Sequence, residues 1–225
     1  IYVYFINHYT EFTTPIYYDL IYKIGCIMNI PRYILETQDF IKDVATKTLF
    51  TLIPNYEMIK NKEAYNIVNF KNGYIDLDIL KKTQDIKQAF IENPPQRPIT
   101  FYVIPSNFIP DTECPMFTKF LNKVLPDKDL QDALLKYTGY CMISNKYLNL
   151  QKYATLLGTG ANGKSVYYSI LKGVLGENNV SEVNVRDLTK ENSNHTYMIE
   201  NKLINYPSEN PTEVEPDKLK SIVSG

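Results

Sequence analysis

The chain has 225 residues, enough for one large domain or two small ones, and 44% of them are hydrophobic. Its formal net charge is -1, so it lacks the basic excess of a self-sufficient DNA-binding domain. No apolar run approaches the roughly 18 residues that a membrane span needs. The sequence opens on Ile1 without a secretory signal. We therefore expect a cytoplasmic protein with no membrane segment, and a fragment of a longer chain.

The cysteines and histidines show no spacing that is typical of a disulfide framework or a metal site. Cys26, Cys114 and Cys141 lie far apart and form no CxxC pair. Reduced, partly buried thiols are the prediction. His195 lies in a polar stretch, where an exposed loop is expected, and His8 has no second ligand at a suitable spacing.

The first 60 or so residues are rich in Tyr, Ile and Phe, and their apolar positions recur at helical spacing. The pattern extends from Tyr18 to Ile27, and again from Ile34 to Leu52 after Pro31. It predicts two or three helices.

The period then changes from helical to strand-like. Two short apolar runs, at 67–70 and 74–77, lie on either side of Lys71-Asn72-Gly73. Asn-Gly between such runs predicts a β-hairpin, because both residues tolerate positive φ in a tight turn. A further strand is predicted at 99–104.

Two amphipathic helices are predicted next. The first covers Phe117 to Val124, and the second runs from Leu130 to about Gly139. We place a domain boundary near residue 145. A mainly helical N-terminal domain, 1–145, with the small β-hairpin near 67–77, would then precede a partial ATPase domain, 146–225.

The last third of the chain predicts an α/β arrangement. The apolar run 153–157 is typical of a buried parallel strand and leads into a glycine-rich loop. A helix is predicted from Val166 to Leu175, with Gly176 as its end. Further strands are predicted at 180–185 and 203–206. Strand, glycine loop, helix and strand in this order indicate an α/β fold.

The glycine-rich loop matches the phosphate-binding pattern G-x-x-x-x-G-K-[ST] at every position. Its residues are Gly158, Thr159, Gly160, Ala161, Asn162, Gly163, Lys164 and Ser165. Glycines let backbone N–H groups turn towards phosphate oxygens, and the helix that follows adds the positive end of its dipole. Lys164 is predicted to reach the β- and γ-phosphates of ATP, and the Ser165 hydroxyl to ligate Mg²⁺.

A P-loop ATPase also needs an acidic group near Mg²⁺ and the attacking water. Glu209 is the predicted residue, because it follows the apolar run 203–206. It would orient water and hold Mg²⁺ through water. Glu213 and Glu215 follow closely, so a glutamate in a surface loop is the alternative interpretation.

These residues resemble the superfamily 3 helicases, and Asn before Gly-Lys-Ser is typical of the phage/plasmid and poxvirus-type primase–helicases. Further stretches between Ile67 and Gly225 resemble elements of that family in the same order. They are the "NGxhDh" element at Phe70–Leu77 (h, apolar), the "CPxFxxFL" element at Cys114–Leu121, Gly139-Tyr140, the second acidic motif at 202–209, and the start of a "K-x-h-x-x-G-G-D" element at Lys218–Gly225.

The resemblance implies an incomplete AAA+-like P-loop core that works as a ring, a homo-hexamer, with ATP bound between subunits. Such rings hydrolyse ATP to translocate on single-stranded DNA at the replication fork, with a primase or other replication proteins as partners. The family's arginine finger and sensor residue would lie beyond Gly225. The sensor strand lies between the P-loop strand and the acidic strand, so its loss would leave those two without their shared neighbour. The 225 residues alone are therefore expected to bind ATP weakly and to hydrolyse almost none.

Two other classes of function stay open from the sequence. A small-molecule or nucleotide kinase uses the same phosphate cradle, but it needs several clustered arginines. This chain has three scattered ones, Arg32, Arg97 and Arg186. The other class is a non-catalytic interaction module with a remnant P-loop, although every chemically required P-loop residue is intact.

Overall fold

A computed structural model describes residues 2–5, 8–11, 14–37, 39–48, 62–190, 195–207 and 214–224. The chain divides into a smaller unit, Ile1–Ala64 with Arg97–Phe101, and a larger unit, Tyr65–Gln96 with Tyr102–Gly225. Helices and small sheets occur together, so the fold is mixed α/β. Neither unit ends near residue 145, and the division into a helical domain and an ATPase domain stays a prediction.

The described residues of the smaller unit form a hairpin and three helices. The hairpin pairs β1 (Tyr2–Phe5) antiparallel with β2 (His8–Glu11), and the sequence analysis did not predict it, although aromatic and β-branched residues favour strands. The helices are α1 (Thr14–Ile27), α2 (Arg32–Leu35) and α3 (39–48). The helices predicted here are therefore confirmed up to residue 48, and residues 49–61 lie outside the described part of the chain.

The helices of the smaller unit pack closely where α1 meets α2. A Cβ on Gly25 would meet the end of the Leu35 side chain, so any larger residue requires that side chain to shift. Asn29 ends this turn with φ 58, a conformation that asparagine tolerates. The buried apolar side chains described in this part of the unit are Tyr17, Leu35, Ile41 and Ala45.

The larger unit opens with a three-stranded antiparallel sheet of order β3-β4-β5. Its strands are β3 (Ile67–Phe70), β4 (Gly73–Asp76) and β5 (Phe90–Glu92), and two short helices, α4 (Leu77–Thr83) and α5 (Ile86–Ala89), lie between β4 and β5. The predicted hairpin is confirmed.

The reason for the Asn-Gly pair in this hairpin differs from the predicted one. The turn residues are Lys71 and Asn72, and neither they nor Gly73 has positive φ. Gly73 is instead the first residue of β4, where a Cβ would lie 2.3 Å from the Ile91 carbonyl oxygen. The Asn72 side-chain amide makes two hydrogen bonds to the backbone of Phe108: it donates to the carbonyl at 2.9 Å and accepts from the N–H at 2.8 Å. Glycine is therefore required by the close approach of β5.

The strand predicted at 99–104 was wrong. Among the described residues it forms one isolated parallel β-bridge, between Ile104 and Phe70, and no strand. Pro98 and Pro105 bracket the run, and a proline contributes no N–H to a ladder. Tyr102 is held by its side chain instead, through hydrogen bonds from its hydroxyl to the carbonyls of Ile67 and Met142.

The two helices predicted next are confirmed as α6 (Pro115–Val124) and α7 (Lys128–Tyr140). Pro115 begins α6, where its missing N–H costs nothing. Asp127 caps α7 by accepting hydrogen bonds from two backbone N–H groups of the first turn.

The last third of the chain contains α8 (Lys164–Leu175), β6 (Val180–Ser181), α9 (Val185–Thr189), β7 (Ile204–Asn205) and α10 (Pro216–Ser224). The helix predicted after the glycine loop is confirmed and ends at Gly176, which has φ 91. The strands predicted at 180–185 and 203–206 form, but each is two residues long. They pair with each other in parallel.

The strand predicted at 153–157 was wrong, because this segment has no regular structure. It is largely exposed, with Leu157 at 83%. A strand needs neighbours for its N–H and C=O groups, and within the described residues no strand pairs with it.

One core joins the hairpin sheet to the α8–β6 region. The buried residues of this cluster are Val68, Phe70, Ile75, Leu77, Ala89, Ile104, Leu175 and Val180. Polar contacts reinforce it, because Asn179 donates to the carbonyls of Val103 and Leu175. The C-terminal end of α8 is therefore anchored, while its N-terminal end adjoins the glycine loop.

Candidate functional site

The glycine loop 158–163 leads directly into α8. Gly163 precedes the helix with φ 82, Gly160 has φ 109 and Ala161 has φ 47. Three of these six residues thus have positive φ, a backbone conformation that glycine adopts without a steric penalty. The tight loop before a helix that the sequence predicts is present, and α8 directs the positive end of its dipole towards it.

Helix α6 supports the loop at Gly163. A Cβ on Gly163 would lie 2.8 Å from Val124 Cγ1 and 3.3 Å from the ring of Phe120. Gly163 therefore meets two requirements at once, positive φ and close packing. The stretch that resembles "CPxFxxFL" contributes Phe120 to this contact.

The side chain of Lys164 folds back over the loop from the first residue of α8. Its ammonium donates to Asn162 Oδ1 at 2.7 Å and lies 3.4 Å from the Gly158 carbonyl oxygen. A Cβ on Gly158 would come within 2.8 Å of that ammonium. Gly158, Asn162 and Lys164, all singled out by the sequence, are therefore brought together in space.

The remaining loop residues lie at the surface. Thr159, Gly160 and Ala161 are exposed, and so is Ser165 in the first turn of α8. The Ser165 carbonyl accepts from the Ser169 hydroxyl at 2.9 Å, as in an ordinary helix. Ser165 is therefore accessible to solvent in the same first turn of α8 as Lys164.

Side chains of α6 and α7 hold α8 in place through contacts with one of its tyrosines. Tyr167 is buried, packs parallel to Phe117 at a ring-centroid distance of 6.5 Å, and shares a hydrogen bond with Thr138 of α7. Burial raises the pKa of the Tyr167 phenol. It likewise raises the pKa of the neighbouring Cys141 thiol to about 11, so both groups stay neutral near pH 7.

The end of β7 reaches the first turn of α8. Tyr206, the residue after this strand, stacks on Tyr168 with ring centroids 4.4 Å apart, and its hydroxyl lies 3.4 Å from the Lys164 carbonyl oxygen. Glu209 follows three residues later along the chain and lies outside the described residues. Tyr206, three residues before Glu209, therefore contacts the first part of α8.

A small charged cluster lies beside the tyrosine stack. The Glu182 carboxylate accepts from the Tyr168 hydroxyl at 2.7 Å and from Lys172 at 3.2 Å. The hydrogen bond from Tyr168 is the main reason that the pKa of Glu182 is lowered. Lys172 also pairs with Glu177 at 3.0 Å. These are surface contacts, which contribute little to stability.

The sequence analysis missed the residues that support the loop, namely Phe120, Val124, Tyr168 and Tyr206. A signal for two of them was available. Tyr168 lies four residues after Lys164 and therefore on the same face of α8, and Tyr206 ends the apolar run before Glu209. The contact of Val124 with Gly163 depends on tertiary packing alone.

The other groups considered in the sequence form no site among the described residues. Cys26 and Cys114 are exposed, contrary to the predicted partial burial, Cys141 is half-buried, and all three thiols are free. His195 is exposed in a short 3-10 helix. In the described parts of the chain no group of three or more His, Cys, Asp or Glu could hold a metal ion, and none of the helices there has the length and apolarity to span a membrane.

Comparison with known proteins adds no identification. No protein-family model matches the chain, and no curated protein matches it.

Proposed function

We propose that this chain is the nucleotide-binding part of an ATP-dependent DNA helicase, with an AAA+-like P-loop core of the superfamily 3 type. The observation that carries the proposal is the position of the Lys164 ammonium, 2.7 Å from Asn162 Oδ1 and 3.4 Å from the Gly158 carbonyl oxygen. It places a positive charge over a glycine loop at the start of a 12-residue helix. Loop, ammonium and helix dipole all favour an anion at this point.

The residues of the loop fit a magnesium-bound triphosphate chemically. Lys164 would bind the β- and γ-phosphate oxygens as a point charge, and the exposed Ser165 hydroxyl would ligate the cation. Glu209 is proposed to orient water and to hold the cation through water. When bound, ATP and Mg²⁺ would supply the phosphoanhydride bond and the Lewis acid. The loop would bind and position the phosphates. Val124 and Phe120 of α6 pack against Gly163, and Tyr206 after β7 packs on α8, so these contacts support the loop and its helix.

The surroundings of the loop favour a helicase over a kinase. The elements that resemble the helicase family belong to the same unit of the structure, and Phe120 of one of them contacts Gly163 at the loop. A kinase would clamp its substrates with clustered arginines. Arg186 alone of the three arginines belongs to the larger unit, where it lies in α9.

The same proposal includes the partners that the resemblance implies. They are single-stranded DNA or a replication fork, further copies of the chain in a homo-hexameric ring, and a primase or other replication proteins. The proposed location is the cytoplasm. The net charge of -1 means that DNA would be held by a local basic patch or by the assembled ring, since phosphate contacts need concentrated positive charge.

Equilibrium binding of a fluorescent ATP analogue in the presence of Mg²⁺ tests the site. Lys164→Ala is expected to weaken binding about 100-fold, because a charge-assisted contact to phosphate is lost. Lys81→Ala, an exposed lysine on α4, is the matched control and should bind like the unaltered protein. If Lys164→Ala bound the ATP analogue as tightly as the unaltered protein does, the loop would not be a nucleotide site. The non-catalytic interaction module would then be the better interpretation.

Stimulation by DNA separates a helicase from a kinase. In the longest natural form of the protein, ATP hydrolysis is expected to rise when single-stranded DNA is added. Lys164→Ala should abolish both the basal and the stimulated rates. Lys164-dependent ATP turnover that ignores single strands, and instead depends on a small-molecule phosphate acceptor, would replace the helicase by a kinase.

A further inference from the structure

The side chain of Asn162 lies within the glycine loop, between Gly158 and the ammonium of Lys164. A Cβ on Gly158 would lie 1.8 Å from Asn162 Nδ2, so the amide packs directly against the Gly158 backbone. Its oxygen accepts the 2.7 Å hydrogen bond from Lys164. Asn162 is half-buried, whereas the neighbouring Ala161 is exposed. The amide therefore points back into the loop rather than out to solvent.

The ammonium of Lys164 has three donors, and neutral oxygens take up two of them. The partners are the Asn162 amide and the Gly158 carbonyl at 3.4 Å. A phosphate oxygen makes a stronger, charge-assisted hydrogen bond with an ammonium than a neutral amide does. A phosphate that approaches Lys164 in this loop meets a donor group that is already partly occupied.

The backbone of Asn162 does not take the left-handed conformation that shapes the loop. The positive φ values belong to Gly160, Ala161 and Gly163 and not to Asn162, so the residue is free of backbone strain. No side-chain hydrogen bond caps α8 at Gly163. Within the described residues, the Asn162 side chain makes a hydrogen bond to Lys164 and to no other group. Its described hydrogen bond is therefore to the ammonium, while its packing contact is with Gly158.

We infer that Asn162 determines nucleotide affinity, because its amide occupies the Lys164 ammonium in the nucleotide-free protein and the triphosphate has to displace it. The inference rests on the proposed function of the loop. The bond that breaks is the hydrogen bond from Lys164 Nζ to Asn162 Oδ1, and the bond that forms joins the same ammonium to a phosphate oxygen. No proton or electron is transferred. The Asn162 amide thus supplies a hydrogen-bond acceptor for the Lys164 ammonium whenever no nucleotide is bound.

Two substitutions at Asn162 should change ATP affinity in opposite directions. Asn162→Ala removes the competitor, and the dissociation constant for ATP with Mg²⁺ is expected to fall about fivefold, the size of one partly exposed hydrogen bond to a charged group. Asn162→Asp pairs the ammonium with a carboxylate that also repels phosphate, and the constant should rise about tenfold or more. Exposed Asn178, on the short helical turn after α8, supplies the control Asn178→Ala, which should leave affinity unchanged.

The rate at which an amine-reactive reagent labels Lys164, followed by mass spectrometry on the nucleotide-free full chain, gives a second readout. Asn162→Ala should raise that rate several-fold and leave the labelling of Lys81 unchanged, since Lys81 lies on α4, which packs mainly on α5 and β4. Faster labelling with tighter ATP binding supports the inference.

Two results overturn it. Weaker ATP binding in Asn162→Ala would make the amide a phosphate ligand, and unchanged labelling of Lys164 would show that the amide does not occupy the ammonium. Failure of the proposed function is a separate result, since it appears as ATP binding that does not respond to Lys164→Ala. The labelling rate then still decides whether Asn162 occupies Lys164.

Discussion

The larger unit contains two Asn-Gly pairs, and they have opposite roles. Asn72-Gly73 lies in the hairpin of β3 and β4, where the Asn72 amide binds the backbone of Phe108. Asn162-Gly163 lies in the glycine loop, where the Asn162 amide binds the ammonium of Lys164. The Asn72 amide joins two parts of the fold, whereas the Asn162 amide accepts a hydrogen bond from the Lys164 ammonium.

The two glycines differ in the same way. Gly73 has no positive φ and is required because β5 approaches it closely. Gly163 has φ 82 and is required by its conformation as well as by the contact with Val124. The same dipeptide therefore lies in a structural joint in one context and in the candidate site in the other. The neighbours that the amide contacts decide between them.

Alanine at the two glycines should give the largest difference between the sites. Gly73→Ala forces a methyl group against a backbone oxygen 2.3 Å away, which only a shift of the strands can relieve, and should lower the free energy of unfolding by about 3 kcal/mol. Gly163→Ala meets a side chain at 2.8 Å and a strained φ, and should cost about 1–2 kcal/mol.

Urea denaturation of both glycine variants, with ATP binding measured on each folded protein, checks this order. Gly73→Ala should keep its ATP affinity wherever it is folded. Gly163→Ala should lose affinity beyond its loss of stability. If the two variants lost stability equally and neither changed ATP affinity, Gly163 would have the same purely structural role as Gly73.

Alanine at the two asparagines should give a smaller effect on stability. Asn72→Ala removes both hydrogen bonds to the Phe108 backbone and leaves that half-buried N–H and carbonyl without their partner, a loss of about 2 kcal/mol. Asn162→Ala should stay within about 0.5 kcal/mol of the unaltered protein, because the hydrogen bond it removes joins two side chains at the surface of the loop. Thermal and urea unfolding measure both, and a loss of similar size at Asn162 would assign it a structural role.

A further loss, smaller than those at Gly73 and Asn72, is expected at the tyrosine stack between α8 and the residue after β7. Tyr206→Leu removes an aromatic pair with a centroid distance of 4.4 Å and should lower the free energy of unfolding by about 1 kcal/mol. Tyr206→Phe keeps the stack and should lose less than about 0.5 kcal/mol, because its hydroxyl contact is long and partly exposed. Equal losses in the two variants would mean that the hydroxyl, and not the ring, holds the strand to the helix.

Local sequence signals were sufficient where a segment satisfies its own backbone. Helix α8 was predicted almost to the residue, because its hydrogen bonds are internal and Gly176 ends it. Pro115 and Asp127 likewise mark the starts of α6 and α7. The hairpin of β3 and β4 was also predictable, since its strands are neighbours along the chain.

Segments that depend on distant partners were not predictable in the same way. The apolar run 153–157 has the composition of a buried strand, but within the described residues no strand pairs with it. Among the described residues, the run 99–104 forms one isolated β-bridge, from Ile104 to Phe70, and no strand. Composition describes what a side chain prefers, whereas a strand also requires another strand at the right place.

For the candidate site, the sequence by itself determined the chemistry: a glycine loop, Lys164 and Ser165 at the start of a helix. It determined these because loop flexibility, an ammonium and a helix terminus are properties of residues a few positions apart. Only the tertiary structure decided that Val124 supports Gly163, that Tyr206 stacks on Tyr168, and that the Asn162 amide folds onto Lys164 rather than into solvent. These contacts join residues whose distance in space no local pattern encodes, because it depends on how the elements pack.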